Sequence, residues 1–312
     1  MVQTIARCRS CGAPAITAEN IAWRPNGTIM ARRVRGVRLL MLEQDMLCGI
    51  SDGLSEGEPD DIYTQIKGAT HYLISKMFSG WIGKISRYDK IKKKVLEVME
   101  DFSLLMGMGR IEVEKFTPSR SGSMLMRDPF ELLLVTAVIT GVLEEIDRCS
   151  YNCSHTSLGK GDFRLKVEAV EKGDYHGHSF AWLPLRYSGV ADSVSMERCR
   201  LCGLPLALAE FRWDELHGVM DAGEQGRRVG ILPAYLMSVL ASVDNAKKKS
   251  DRAGVIEETA YSITLHGMQG GIRDAYDWHS DLNSSREEEL QKYVADVLPL
   301  RGWGKLDDFR IN

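Results

Sequence analysis

Apolar residues recur at helical spacing through much of the chain and switch to strict alternation near its middle. Tyr88 to Met106 is the clearest amphipathic helix: Ile91, Val95, Met99, Phe102 and Leu105 form a stripe at steps of three or four, and Lys and Glu cover the back. Ile62 to Phe78 is helical by the same criterion, and His71, Ile74, Phe78 and Trp81 share one face if the helix persists past Gly80. Val37 to Cys48 also fills a helical face, whereas Gly49 to Asp60, rich in Gly, Ser, Glu and Pro, reads as a loop. Pro25-Asn26-Gly27 between apolar runs predicts a hairpin over Ile21 to Met30. From Arg110 the period becomes two. Ile111 and Val113 alternate with Glu112 and Glu114, Thr117 to Gly122 is a turn, and Ser123 to Arg127 returns as a second strand. Asp128-Pro129 then opens a buried helix over Phe130 to Asp147, with Asp128 as its cap. A loop holding Cys149, Cys153 and His155 leads to a last strand in which Phe163, Leu165 and Val167 alternate. The expected class is α/β, of the α+β kind.

An internal echo organises these elements. Cys8-Arg9-Ser10-Cys11-Gly12 returns as Cys199-Arg200-Leu201-Cys202-Gly203, and the same order follows each: Pro14 and Pro205, Trp23 and Trp213, Gly27 and Gly218, Arg32-Arg33-Val34 and Arg227-Arg228-Val229. Further on come Gly107-Met108-Gly109-Arg110 and Gly302-Trp303-Gly304-Lys305. A kept order of this length predicts a duplication. The expected division is a first domain over 1–172, a linker over 173–196 and a second copy over 197–312, with helices near Ile231 to Val243, Glu257 to Asp277 and Ser285 to Leu298. The second copy is expected to lack a counterpart of Met124 to Val170, leaving a sheet edge to rest on the first copy or to pair with another chain.

Charge and composition narrow the function classes. Forty basic and 43 acidic residues give a net charge of −3 without long runs of one sign, which argues against a nucleic-acid partner. The apolar run from Leu132 to Leu143 is too short for a membrane span, and no secretory signal opens the chain, so the expected location is cytoplasmic. In a reducing compartment seven cysteines, three close pairs plus Cys48, point to metal rather than disulfides. Catalytic signatures are lacking: there is no His-Glu-x-x-His, Gly-x-Ser-x-Gly or phosphate loop, and Gly107-Met108-Gly109 ends a helix instead of opening one.

The span Leu105 to Val170 resembles the 4-vinyl-reductase-type, or hydrocarbon-binding, domain. Gly107-Met108-Gly109-Arg110-Ile111, Arg127-Asp128-Pro129-Phe130, Gly141 with Leu143-Glu144, and Gly159 to Phe163 carry the likeness. Trp23 through Met106 looks like the ligand-sensing half that accompanies this domain in bacterial regulators responding to phenols and xylenes. The resemblance implies an α/β unit related to a heme-type nitric-oxide sensor and to Golgi-transport tethering subunits. It further implies binding of small apolar or aromatic molecules, dimerisation and a zinc. The family's zinc pattern is Glu-x-x-Cys with a second Cys seven residues on, directly before a Phe; here Asp162 stands before Phe163 and no Glu lies three residues before Cys153.

Two metal sets follow. Each Cys-x-x-Cys-Gly knuckle converges two thiolates on one tetrahedral ion, and neither has a second pair nearby. Cys8, Cys11, Cys199 and Cys202 then share one structural zinc between the copies, or each knuckle finds local partners, or neither binds; iron is the other ion that suits four thiolates. Cys149, Cys153, His155 and Asp162 form a second four-ligand set, with loop or core thiols as the competing reading. For an organic ligand, Trp23, His71, Phe78 and Trp81 supply an apolar wall with one hydrogen-bonding group, although each alone also reads as core. The expectation is a non-catalytic binding protein for a small apolar or aromatic molecule, a sensor, carrier or assembly partner, present as a homodimer or hetero-complex subunit. The alternatives are an accessory subunit of an anaerobic aromatic-degradation or tetrapyrrole enzyme, and a ligand-free scaffold.

Overall fold

Leu39-Leu40-Met41-Leu42 is apolar at every position, the composition of a strand buried on both faces, and it forms the centre of the larger sheet. A computed structural model of the protein describes residues 6–32, 37–55, 59–78, 85–170, 196–222, 227–237, 239–240 and 300–302. Its elements are α1 (Ala15–Asn20), β1 (Ile21–Trp23), β2 (Ile29–Ala31), β3 (Arg38–Glu43), α2 (Gln44–Ser55), α3 (Pro59–Met77) and α4 (Asp89–Leu105). They continue with β4 (Arg110–Thr117), β5 (Ser121–Arg127), α5 (Leu132–Asp147), β6 (Tyr151–Gly159), β7 (Asp162–Ala169), a 3-10 turn at Leu206–Glu210, β8 (Arg212–Asp214), β9 (Val219–Ala222) and β10 (Arg227–Pro233).

The mixed α/β class expected from the sequence is observed. One antiparallel sheet has six strands in the order β1-β2-β3-β10-β9-β8, and the other has four in the order β4-β5-β7-β6. Strands from both sides of residue 196 thus make one sheet, joined where Val229 to Pro233 pair with Glu43 to Leu39. Apolar side chains gather in three clusters. One lies among α2, α3, α5 and Tyr235 to Leu240, one between α5 and the four-stranded sheet, and one along the six-stranded sheet. Met108 packs against all three.

Several local expectations change. Val37 to Cys48 divides into β3 and the start of α2, because a run apolar on every side suits a doubly buried strand as well as a helix face. The expected loop over Gly49 to Asp60 is largely occupied by α2, which runs to Ser55, and α3 begins at Pro59. The segment from Cys149 to His155 enters β6 at Tyr151. Ile231, Leu232 and Pro233 belong to β10, so the helix expected near Ile231 to Val243 does not begin there. Helix α5 is capped by Glu131, whose carboxylate accepts from the N–H groups of Leu133 and Leu134, and not by Asp128, which sits at φ 43°. The linker over 173–196 up to residue 195 and the helices expected over Glu257 to Asp277 and Ser285 to Leu298 lie outside the described residues.

Two glycine turns dock on the larger sheet. Ile231 N–H donates to Met106 O at 2.7 Å and Met41 N–H donates to Arg301 O at 2.9 Å, and Ile231 and Met41 are themselves opposite one another in the β3–β10 register. Gly107 follows Met106 at φ 70°, and a Cβ there would stand 2.7 Å from Val229 O. Gly302 follows Arg301 at φ 80°, and a Cβ there would stand 2.7 Å from Ile29 Cγ1 and 2.9 Å from Leu39 O. Only a residue without Cβ satisfies both the left-handed backbone and the close approach. Gly107→Ala is expected to lower stability by roughly 2–4 kcal/mol, since strained φ and an unyielding carbonyl add. A urea unfolding midpoint reads this loss.

Candidate functional site

The four knuckle cysteines meet. Cys8, Cys11, Cys199 and Cys202 hold their sulfurs within 4.8 Å of one another, with 3.7 Å between Cys8 and Cys199 and 3.6 Å between Cys11 and Cys202. A tetrahedral ion with metal–sulfur bonds of about 2.3 Å requires sulfur–sulfur edges of about 3.8 Å, so the set fits a four-thiolate metal ion. Each knuckle is built the same way. Cys8 N–H donates to Ala13 O and Gly12 N–H to Cys8 O, at 2.8 and 2.9 Å; Cys199 N–H donates to Leu204 O and Gly203 N–H to Cys199 O, at 2.8 and 2.9 Å. Gly12 and Gly203 turn the chain at φ 75° and 77°.

The same turns aim backbone N–H groups at sulfur. Cys8 accepts from the N–H groups of Cys11 and Ser10, which hold its thiol below the usual range. Cys199 accepts from those of Cys202 and Leu201 and is lowered to about 6. Burial pushes the Cys11 thiol up and the Cys202 thiol up to about 12. A cation among them would favour all four thiolates.

Two arginines brace the pair of knuckles in a crossed manner. Arg7 donates to Gly12 O at 3.1 Å in its own knuckle and to Trp213 O at 3.4 Å beside the other. Arg198 donates to Gly203 O at 3.2 Å and to Trp23 O at 3.0 Å. The spacing of cysteines does not reveal this role, but the triplet Arg-Cys-Arg, present at 7–9 and 198–200, was a usable signal.

Cys149, Cys153, His155 and Asp162 are not brought together. Among the described residues the only gathering of three or more metal-ligating groups is the knuckle set. In the β6–β7 hairpin Cys153 lies opposite Val167, whereas Asp162 lies opposite Gly159 at the turn. Six strand residues separate those rungs, about 20 Å. Cys153 Sγ lies 2.9 Å from Thr140 Oγ1, Asp162 is 3.7 Å from Arg127, and His155 stacks edge-on against Phe163. Burial raises the Cys153 thiol. Cys48 is half-buried in α2, and its thiol is pushed up to about 11, chiefly by burial.

An apolar cavity of about 210 Å³ opens between α3, α4, α5 and the centre of the larger sheet. Phe78, Val95, Met99, Met106, Ile139 and Ile231 are among its walls. Its polar wall residues have partners: Thr70 Oγ1 donates to Ile66 O at 2.9 Å and lies 3.3 Å from Tyr235 Oη, and Ser103 Oγ donates to Gly109 O at 2.8 Å. Of the expected ligand residues, Phe78 lines this cavity. Trp23 is buried elsewhere and donates from Nε1 to Leu300 O at 2.7 Å, and Trp81 lies outside the described residues. His71 is buried with Nε2 2.9 Å from Glu144 Oε2 and does not line the cavity.

His71 belongs to a network of buried carboxylates on α5. Burial alone would raise Glu144, but His71, the Tyr151 N–H and Lys67 hold its carboxyl below the usual range. Burial would likewise raise Asp147, yet Lys92, the Tyr151 hydroxyl and the Ser119 N–H keep it low. Both groups therefore support the fold fully above the ordinary carboxylate range and lose that support as pH falls through their lowered values. Lys92→Met is expected to cost about 3–5 kcal/mol by leaving Asp147 without its buried cation, and to move acid unfolding to higher pH. Circular dichroism along an acid titration measures both.

No helix among the described residues is long and apolar enough to cross a membrane. No protein-family model matches the chain, and no curated protein or solved structure is similar enough to it to count as a match.

Proposed function

We propose that the protein is a binding module for a small neutral hydrocarbon, held in shape by one structural zinc shared between its two cysteine knuckles. The cavity carries this reading. Its walls are almost wholly apolar, and the hydroxyls of Thr70 and Ser103 already donate to backbone carbonyls. Apolar cavities of about 150 Å³ stay dry and take up benzene, so one of about 210 Å³ suits a one- or two-ring hydrocarbon or a short alkyl chain. Thr70 and Ser103 keep acceptor lone pairs, but so little polar surface faces the cavity that a ligand hydroxyl would exchange full hydration for at most one partner, at a cost of about 1–3 kcal/mol. This narrows the expected ligand from phenols and hydrocarbons alike to hydrocarbons.

Two further readings belong with it. The matched knuckles, the crossed arginines and the two docked glycine turns support descent of the larger sheet from a duplicated unit. The likeness of residues 105–170 to the hydrocarbon-binding domain is in keeping with a cavity that lies against α5. Zinc is favoured by four thiolates gathered within 4.8 Å of one another with backbone N–H groups facing sulfur.

Both parts are open to measurement. Alkylbenzenes are expected to raise the melting temperature and bind about tenfold or more tightly than the corresponding cresols; equal affinity in calorimetry overturns the hydrocarbon reading. Metal analysis is expected to find one zinc per chain. Cys8→Ser and Cys199→Ser should each lower its affinity strongly and destabilise the fold, whereas separate sites would leave half the metal in place.

A further inference from the structure

The four knuckle thiols are paired as well as gathered. Close sulfur contacts run across the knuckles and join equivalent positions, Cys8 with Cys199 at 3.7 Å and Cys11 with Cys202 at 3.6 Å. A disulfide holds its sulfurs about 2.0 Å apart, so each pair has only about 1.6 Å to close. Bonds that involve no ion keep the knuckles facing one another: Arg7 donates to Trp213 O, Arg198 donates to Trp23 O, and Arg7 pairs with Glu215 at 2.8 Å. Exposure divides the set. Cys8 and Cys199 are buried, whereas Cys11 and Cys202 are half-buried and meet solvent.

We propose that these thiols, when they hold no metal, are a site of oxidation by hydroperoxides, which joins them in two disulfides across the knuckles, Cys11 to Cys202 and Cys8 to Cys199. In each pair one thiolate attacks the outer peroxide oxygen; the S–O bond forms as the O–O bond breaks, and the alkoxide leaves and takes a proton. The facing thiolate then attacks the sulfenic sulfur, forming the S–S bond and expelling hydroxide, which leaves as water. Two thiols and one hydroperoxide thus become one disulfide, one alcohol and one water. The outer pair reacts first, because the oxidant reaches it first. Disulfides and a bound ion exclude each other, since both need the same sulfurs. Each disulfide joins positions 191 apart, so the oxidised chain keeps its two knuckles tied together without metal. The inference concerns the thiols alone and goes beyond the zinc reading.

The full chain, stripped of metal with a chelator and treated with tert-butyl hydroperoxide, is digested with trypsin without reduction and mapped by mass spectrometry. Arg9 stands between Cys8 and Cys11, and Arg200 between Cys199 and Cys202, so digestion puts the four cysteines on four peptides and shows which sulfur is bonded to which. Cys11–Cys202 linkage is expected first and Cys8–Cys199 linkage second, both reversed by dithiothreitol. Cys11→Ser should remove the first linkage and leave Cys8 bonded to Cys199, with circular dichroism reporting the fold. Added zinc should slow thiol loss at least tenfold, and its failure to do so would count against the zinc reading alone. Disulfides confined within each knuckle, thiols that survive the peroxide, or sulfinic acid at Cys11 and Cys202 in place of a crosslink overturn the proposal.

Discussion

The pairing of β3 with β10 is the contact on which the rest of the structure depends. It joins residues nearly 190 positions apart in five consecutive rungs, from Val229 opposite Glu43 to Pro233 opposite Leu39. The cysteine knuckles precede in sequence β1 and β8, the two edge strands of the sheet that this pairing unites, and the cavity reaches its centre at Leu39, Ile231 and Leu232. Glu43, at one end of the pairing, is flanked by Arg227 at 3.2 Å and by Arg301, so a buried carboxylate gathers three remote segments at one point. Removing one member of such a set costs more than the set contributes, because the remaining charge stays buried.

The cysteine cluster and the cavity therefore share a scaffold while differing in physical character. The cysteine cluster gathers positions 191 apart, and an ion bound there would cross-link them, restricting the unfolded chain by on the order of 5 kcal/mol. The cavity contributes no such constraint; it is a place where the packing of α3, α4 and α5 on the sheet is incomplete. Helix α5, which supplies Val135, Val138, Ile139 and Val142 to its walls, also carries the buried carboxylates Glu144 and Asp147 with their partners.

Much of the fold was legible where one period dominated. The β1–β2 and β4–β5 hairpins, α3 and α4 follow from alternation, helical spacing and turn residues. The sequence also pointed to the meeting of Cys8 and Cys11 with Cys199 and Cys202, because neither knuckle had another thiol pair nearby. What escaped was decided by tertiary context. Leu39 to Leu42 and Val229 to Leu232 are apolar throughout, so their period cannot separate strand from helix, and only their pairing with one another does. Lys92 reads as a surface residue until Asp147 and Tyr151 provide a buried partner. Cys153, His155 and Asp162 looked like ligands by type, but the β6–β7 register spreads them along a hairpin.

The central position of β3 has a consequence for how the protein comes into being. During synthesis Leu39 to Leu42 leave the ribosome long before Arg227 to Pro233 exist, so the strand that ends at the heart of the sheet begins as an unpaired apolar edge. Both hairpins of the smaller sheet and α5, made in the interval, form from nearby residues. The pairing of β10 with β3 is a late, long-range event of the kind that sets folding speed. Until then the nascent chain carries β3 as an apolar strand whose partner is encoded far downstream.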